Sequence, residues 1–171
     1  AKLIMRQYPI NRNMLYHKQD DMARFTQDEV QNFRRKIGVV FQEYKLIERK
    51  TVLENIVYPL SILKSPPKHK TKKLRLIIQT MELEKYQDGV VKYLSWWEKQ
   101  KVAIARALVH NPEFIIADEP TGNLDPASAK KIADILIKLH NMWNTILMIT
   151  HNTNIEQYIA SQINVQHFTL W

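Results

Sequence analysis

The sequence predicts an α/β fold built on a mostly parallel sheet, with a helical part inserted into it. Two observations carry that prediction. From Phe114 to Phe168 short apolar runs alternate with helical patterns, the order expected of parallel βαβ units. Ahead of them, residues from about Glu43 to His110 read as mostly helical.

Each element has a local reason. Thr26-Gln27-Asp28-Glu29 is a capping box and opens a short helix to about Arg35. Strand Ile37–Phe41 follows, and a second capping box, Thr51-Val52-Leu53-Glu54, opens a helix to about Leu60. Lys70–Leu83 places Leu74, Ile77, Ile78 and Met81 at helical spacing. A further helix is expected over about Glu98–Val109, before the strand at Phe114. Asp125-Pro126 is a good N-cap and first-turn pair for a helix to about Leu139. Ile146–Thr150 reads as another apolar strand, and a last strand is expected before Trp171. No internal repeat is present.

The chemistry concentrates where one strand ends. Phe114-Ile115-Ile116-Ala117 is a short apolar run, as in a strand buried on both faces, and it stops abruptly at Asp118-Glu119-Pro120. Ligands of open α/β sheets collect at the carboxyl ends of the strands, where one acid can hold Mg²⁺ and its neighbour can polarise a water. An isolated Asp-Glu pair is more often a solvated strand end. Its surroundings decide between the two.

Those surroundings resemble the ATPases of the ATP-binding-cassette (ABC) family. Asp118-Glu119 and Gly122-Asn123-Leu124-Asp125 resemble the Walker B and D-loop motifs, Val39-Val40-Phe41-Gln42 the strand ending in the Q-loop, and Ile146–His151 the strand ending in the switch histidine. Leu94-Ser95-Trp96-Trp97-Glu98 stands where the family has its LSGGQ or LSGGE signature. The resemblance runs over nearly all 171 residues, with the four motifs in the family's order. The resemblance implies a P-loop NTPase core with a mostly parallel sheet. It further implies a helical subdomain with the signature over about 43–110, and a RecA-like part over 111–171. It implies ATP and Mg²⁺ as ligands, with Asp118 and Gln42 on the metal side. Glu119 would be the catalytic base, acting with Gln42 and with His151 on the γ-phosphate. Ser95, Trp96, Trp97, Glu98 and Asp125 would face the nucleotide across a head-to-tail homodimer.

Two departures stand out. The pattern G-x-x-x-x-G-K-[ST] occurs nowhere in the 171 residues, and Ala1–Arg6 resembles the helix that follows that loop in the family. The domain is therefore expected to be N-terminally truncated, and the polypeptide as given to bind ATP weakly and to be inactive. At the signature, glycines let backbone N–H groups approach a phosphate at a helix N-terminus, where Trp96 and Trp97 now place indole rings. If glycine there uses positive φ, tryptophan adds roughly 1–2 kcal/mol of backbone strain.

Glycine numbers only 3 and tryptophan 4, against an average glycine usage of about 7%. Trp143 and, more loosely, Trp171 also stand where such domains place glycine. Some bacterial lineages read UGA as glycine while a common alternative code reads it as tryptophan. Translation with the wrong table would account for at least Trp96 and Trp97. The competing reading is a degenerate pseudo-ATPase acting as a non-hydrolysing adaptor.

Composition bounds the rest. With 45% hydrophobic residues the chain can bury a substantial core as one domain. No cysteine is present, which excludes disulfides and thiolate metal sites. No apolar run approaches membrane-spanning length, so a cytoplasmic protein at the inner face of the plasma membrane is expected. The net charge of +8 lies largely in Lys64, Lys68, Lys70, Lys72, Lys73 and Arg75. Such a run is commonly a solvated face. Its sharper reading is a surface toward anionic lipid, where each cation contributes on the order of 1 kcal/mol. The short interval from Gln42 to Ser95 leaves no room for coiled-coil arms, which disfavours the DNA-repair ATPases of the superfamily and a nucleic-acid partner. Phe33–Gln42, Thr51–Ile56 and the Asp118–Pro126 block resemble the FtsE cell-division group and its lipoprotein-release and MacB-type macrolide-export relatives. That resemblance implies an FtsX-like integral membrane subunit as partner, docked around Glu43–Arg49.

Overall fold

The computed structural model describes residues 1–63, 70–142 and 144–168. Trp143, Trp171, Lys64 and Lys68 lie outside them. Near the N-terminus β1 (Tyr16–His17) and β2 (Asp20–Asp21) form a small antiparallel hairpin. The order then runs α1 (Gln27–Arg35), β3 (Ile37–Val40), α2 (Val52–Ile62), α3 (Lys70–Thr80), α4 (Trp96–Leu108), β4 (Phe114–Asp118), α5 (Pro126–Asn141), β5 (Thr145–Ile149) and α6 (Thr153–Gln162).

β3, β4 and β5 pair in parallel in that spatial order. Ile37 lies opposite Phe114, which lies opposite Thr145, while Asp118 lies opposite Ile149. The three strands therefore end level, and the residues that follow them leave at one edge. Alternation along the strands divides the core. Val40, Ile115 and Ala117 face the large apolar cluster under α2, α3 and α4. Ile37 and Ile116 face the opposite side, with Met22 and Phe33.

Local chemistry explains the helix starts. Thr26 and Thr51 form the expected capping boxes with Glu29 and Glu54, and Asp125 accepts from the amides of Ala127 and Ser128, each at 3.0 Å. The seating of α4 on β3 depends on Gly38. A Cβ there would lie 2.5 Å from the Ala107 carbonyl oxygen, closer than real Cβ contacts come.

The structure departs from the sequence reading at three elements. Ala1–Arg6 forms turns rather than a helix: Met5 N–H reaches Ala1 O at 3.1 Å, but Arg6 turns left-handed at φ 52. One isolated turn has too few bonds to offset helix nucleation. Instead the Arg34 guanidinium pins the segment by donating to the carbonyls of Met5 at 2.8 Å and Arg6 at 2.9 Å. The strand expected before Trp171 does not form among the described residues. Ile163 and Val165 pack beside α5 and α6 without pairing to the sheet. Finally, α4 begins at Trp96, two residues before the expected start.

Candidate active site at the sheet edge

β4 delivers its two acids differently. Asp118 is the last residue of the strand, in register with Ile149. Glu119 leaves with φ 47, a left-handed conformation that costs a residue with a Cβ about 1–2 kcal/mol. Its surroundings hold it there. Its amide donates to Ile149 O at 2.8 Å, and its carboxylate accepts from the His151 amide at 2.8 Å and the Thr150 hydroxyl at 3.2 Å. The His151 ring nitrogen Nε2 stands 3.7 Å from Glu119 Oε1. The acid is mostly covered, with 15% of its side chain exposed, while the imidazole is open to solvent at 97%. A fixed, half-dry carboxylate beside an open imidazole is suited to orienting a water and receiving its proton.

Gln42 joins this group from β3. Its carbonyl oxygen accepts from Asn123 Nδ2 at 2.9 Å. The turn from Glu119 closes through Gly122 N–H to Glu119 O at 3.1 Å. A Cβ on Gly122 would lie 3.2 Å from Gln42 Nε2, so the glycine permits the close approach of turn and amide. Gln42, Asp118, Glu119 and His151 thus share the carboxyl edge of the sheet. No group of three acidic or histidine ligands occurs among the described residues. The hard oxygen donors of Asp118 and Gln42 nevertheless suit Mg²⁺, which commonly takes one or two protein ligands and completes its shell with water and phosphate oxygens.

Ser95, Trp96, Trp97 and Glu98 form a second group, the start of α4. Ser95 is the N-cap, and its hydroxyl donates to Glu98 Oε2 at 2.6 Å while the Glu98 amide reaches back to Ser95 Oγ at 3.4 Å. Burial alone would raise the Glu98 pKa, but hydrogen bonds from Ser95 and Tyr86 prevail and hold it below the usual carboxylate range. Trp96 and Trp97 are the first two helical residues, and neither has positive φ. The expected backbone strain is therefore absent, because a helix first turn accepts any L-residue other than by crowding. What the indoles bring is bulk. Trp96 is 62% exposed with its ring 6.0 Å from Tyr44, and Trp97 is half-buried with the Lys101 ammonium 4.2 Å from its ring centre. Asp125 caps α5, and hydrogen bonds from Ser128 hold its pKa down.

Two partners at this edge escaped the sequence reading. Thr150 holds Glu119, and Asn123 holds Gln42. Both lie inside recognised motifs, but a motif does not say which of its polar atoms turn inward.

Residues 1–122 match the ABC transporter family. The chain belongs to the ABC ATPase family. Its relatives include the cell-division ATP-binding protein FtsE of Bacillus subtilis, 36% identical over 95% of this chain and 71% of that protein. They also include the methionine import ATP-binding protein MetN 2 of Enterococcus faecalis, 35% identical over 86% of this chain and 43% of that protein. Among solved structures, the dimeric ATP-binding cassette MJ0796 in a post-hydrolysis state bound to ADP and Pi superposes with a TM-score of 0.71. It is 35% identical over 84% of this chain and 64% of that one. CbiO1 from Clostridium perfringens, part of the ABC transporter complex cbiONQ, reaches a TM-score of 0.75 at 26% identity, over 84% of this chain and 58% of that one. This ABC ATPase thus has the P-loop NTPase fold of those cassettes, and it spans a little under two thirds of their length.

Proposed function

We propose that this chain is the hydrolytic part of an ATP-binding subunit that drives an ABC-type membrane complex. The observation that carries the reading is the clasp on Glu119, a left-handed acid held by His151 and Thr150 at the same sheet edge as Asp118 and Gln42. In this reading Glu119 orients water for in-line attack and takes its proton, and His151 steadies the γ-phosphate. Gln42 and Asp118 hold Mg²⁺, which when bound neutralises charge on the phosphates. Ser95 and the first turn of α4 serve the ATP of a second copy placed head to tail. Catalysis is then mostly positioning and electrostatic stabilisation.

The partner is an integral membrane subunit. The resemblance of the Phe33–Gln42 and Thr51–Ile56 segments supports an FtsX-like one and a role in cell division at the cytoplasmic face of the membrane. MetN relatives at 35–36% identity, beside 36% for FtsE, support a second reading, the ATPase of a small-solute importer. A lipoprotein-release or macrolide-export ATPase fits the same motifs. No helix among the described residues is long and apolar enough to cross a membrane.

Phosphate release by the native protein with MgATP tests the hydrolytic reading. Activity that Glu119→Gln abolishes is expected, whereas activity indifferent to that substitution removes Glu119 from the role. Co-purification separates the partners: an FtsX-like subunit supports the cell-division reading, and a permease with a solute-binding protein supports import.

A further inference from the structure

Gln42 is followed by an unusual piece of backbone. Tyr44 at φ 59 and Lys45 at φ 50 are the one consecutive left-handed pair of residues other than glycine among the described residues. Such a pair persists only where its surroundings over-determine it. The agent here is Arg106, in the third turn of α4. Its Nη2 donates to Tyr44 O and its Nη1 to Lys45 O, both at 2.6 Å. A guanidinium offers two parallel donors in a rigid plane, which matches two carbonyls brought side by side. The Tyr44 ring is buried against the main core. Further along, buried Asn55 donates to Ile47 O at 3.0 Å and accepts from Ile47 N at 2.8 Å, so the segment is tied again before α2.

Gln42 therefore sits between two anchors. On one side Asn123, from the turn that begins at Glu119, holds its carbonyl. On the other, two residues downstream, Arg106 holds the chain. We propose that Arg106 is a positioning residue for Gln42: by clasping the carbonyls of Tyr44 and Lys45 it fixes where the Gln42 amide stands at the sheet edge. This inference rests on the ATPase reading of the site.

Arg106→Lys in the native protein is the test, since a lysine keeps the charge but cannot span both carbonyls in one plane. Amide hydrogen exchange is expected to rise at Lys45–Ile47 and to stay unchanged in α5. The kcat for MgATP is expected to fall on the order of tenfold to a hundredfold with KM within about twofold, because a displacement of about 1 Å in a positioned group has such effects. In a Gln42→Ala background the same substitution should lower kcat no further, as expected of residues acting through one another. An equal fractional loss in that background, or unchanged kcat and exchange in Arg106→Lys, overturns the inference while leaving the ATPase reading in place. Wild-type protein without ATPase activity overturns that reading and this inference with it.

Discussion

Glu119 shows how one residue can be both strained and fixed. Its left-handed backbone is held by Ile149 O, and its carboxylate accepts two hydrogen bonds. Glu119→Gln can keep both contacts, its Oε1 accepting from the His151 amide and its new NH₂ donating to the Thr150 hydroxyl oxygen. Hydrolysis is therefore expected to be lost while stability in denaturant melts falls by no more than about 1 kcal/mol. Trp96 and Trp97 pose a different question. The helix first turn removes the conformational reason for glycine, but the mostly exposed Trp96 indole still crowds the place where an anion would meet the α4 N-terminus. Translation with the wrong genetic code would also cover the glycine shortage, 3 glycines in 171 residues. Mass spectrometry of the native peptide around Ser95 should find glycine at 96 and 97, and UGG codons there would sink the idea.

At the scale of the element, the starts of α1 and α2 were legible because a capping box is wholly local: four residues specify it. The start of α4 is equally local, since Ser95-Trp96-Trp97-Glu98 is also a capping box and sets the first helical residue at Trp96. The titration of these caps can be followed. In Glu29, Glu54 and Asp125 hydrogen bonds hold the folded pKa below its ordinary value, 4.5 for the glutamates and 3.8 for the aspartate. Their contribution to stability is present above those ordinary values and is lost as pH falls through the lower folded ones. Urea midpoints should therefore drop below about pH 4.5, and Thr51→Ala should cost about 1 kcal/mol at neutral pH. Gly38→Ala should cost more, about 1–3 kcal/mol, because the new Cβ meets the Ala107 backbone rather than a side chain that can turn away. A melt unchanged by Gly38→Ala would mean that α4 shifts on β3 without penalty.

For the whole molecule, the proposed head-to-tail arrangement assigns the two groups of site residues to different nucleotide sites. The sheet edge carries Gln42, Asp118, Glu119 and His151, while Ser95 and its turn belong to α4. Light scattering of native protein bearing Glu119→Gln should show a dimer with MgATP and a monomer with ADP; a mass unaffected by nucleotide would instead favour a non-hydrolysing adaptor. The periodicity of the chain was sufficient for the α/β class, the strand ends and the two acids, because hydrophobic alternation and caps are short-range properties of consecutive residues. Contacts between distant segments were not legible in that way. That the three strands end level, that Thr150 and His151 hold Glu119, and that Arg106 clasps the backbone beyond Gln42 depend on which side chains meet after the chain has folded. Spacing along the sequence leaves those meetings open, and only close packing of β3, β4, β5 and α4 decides them.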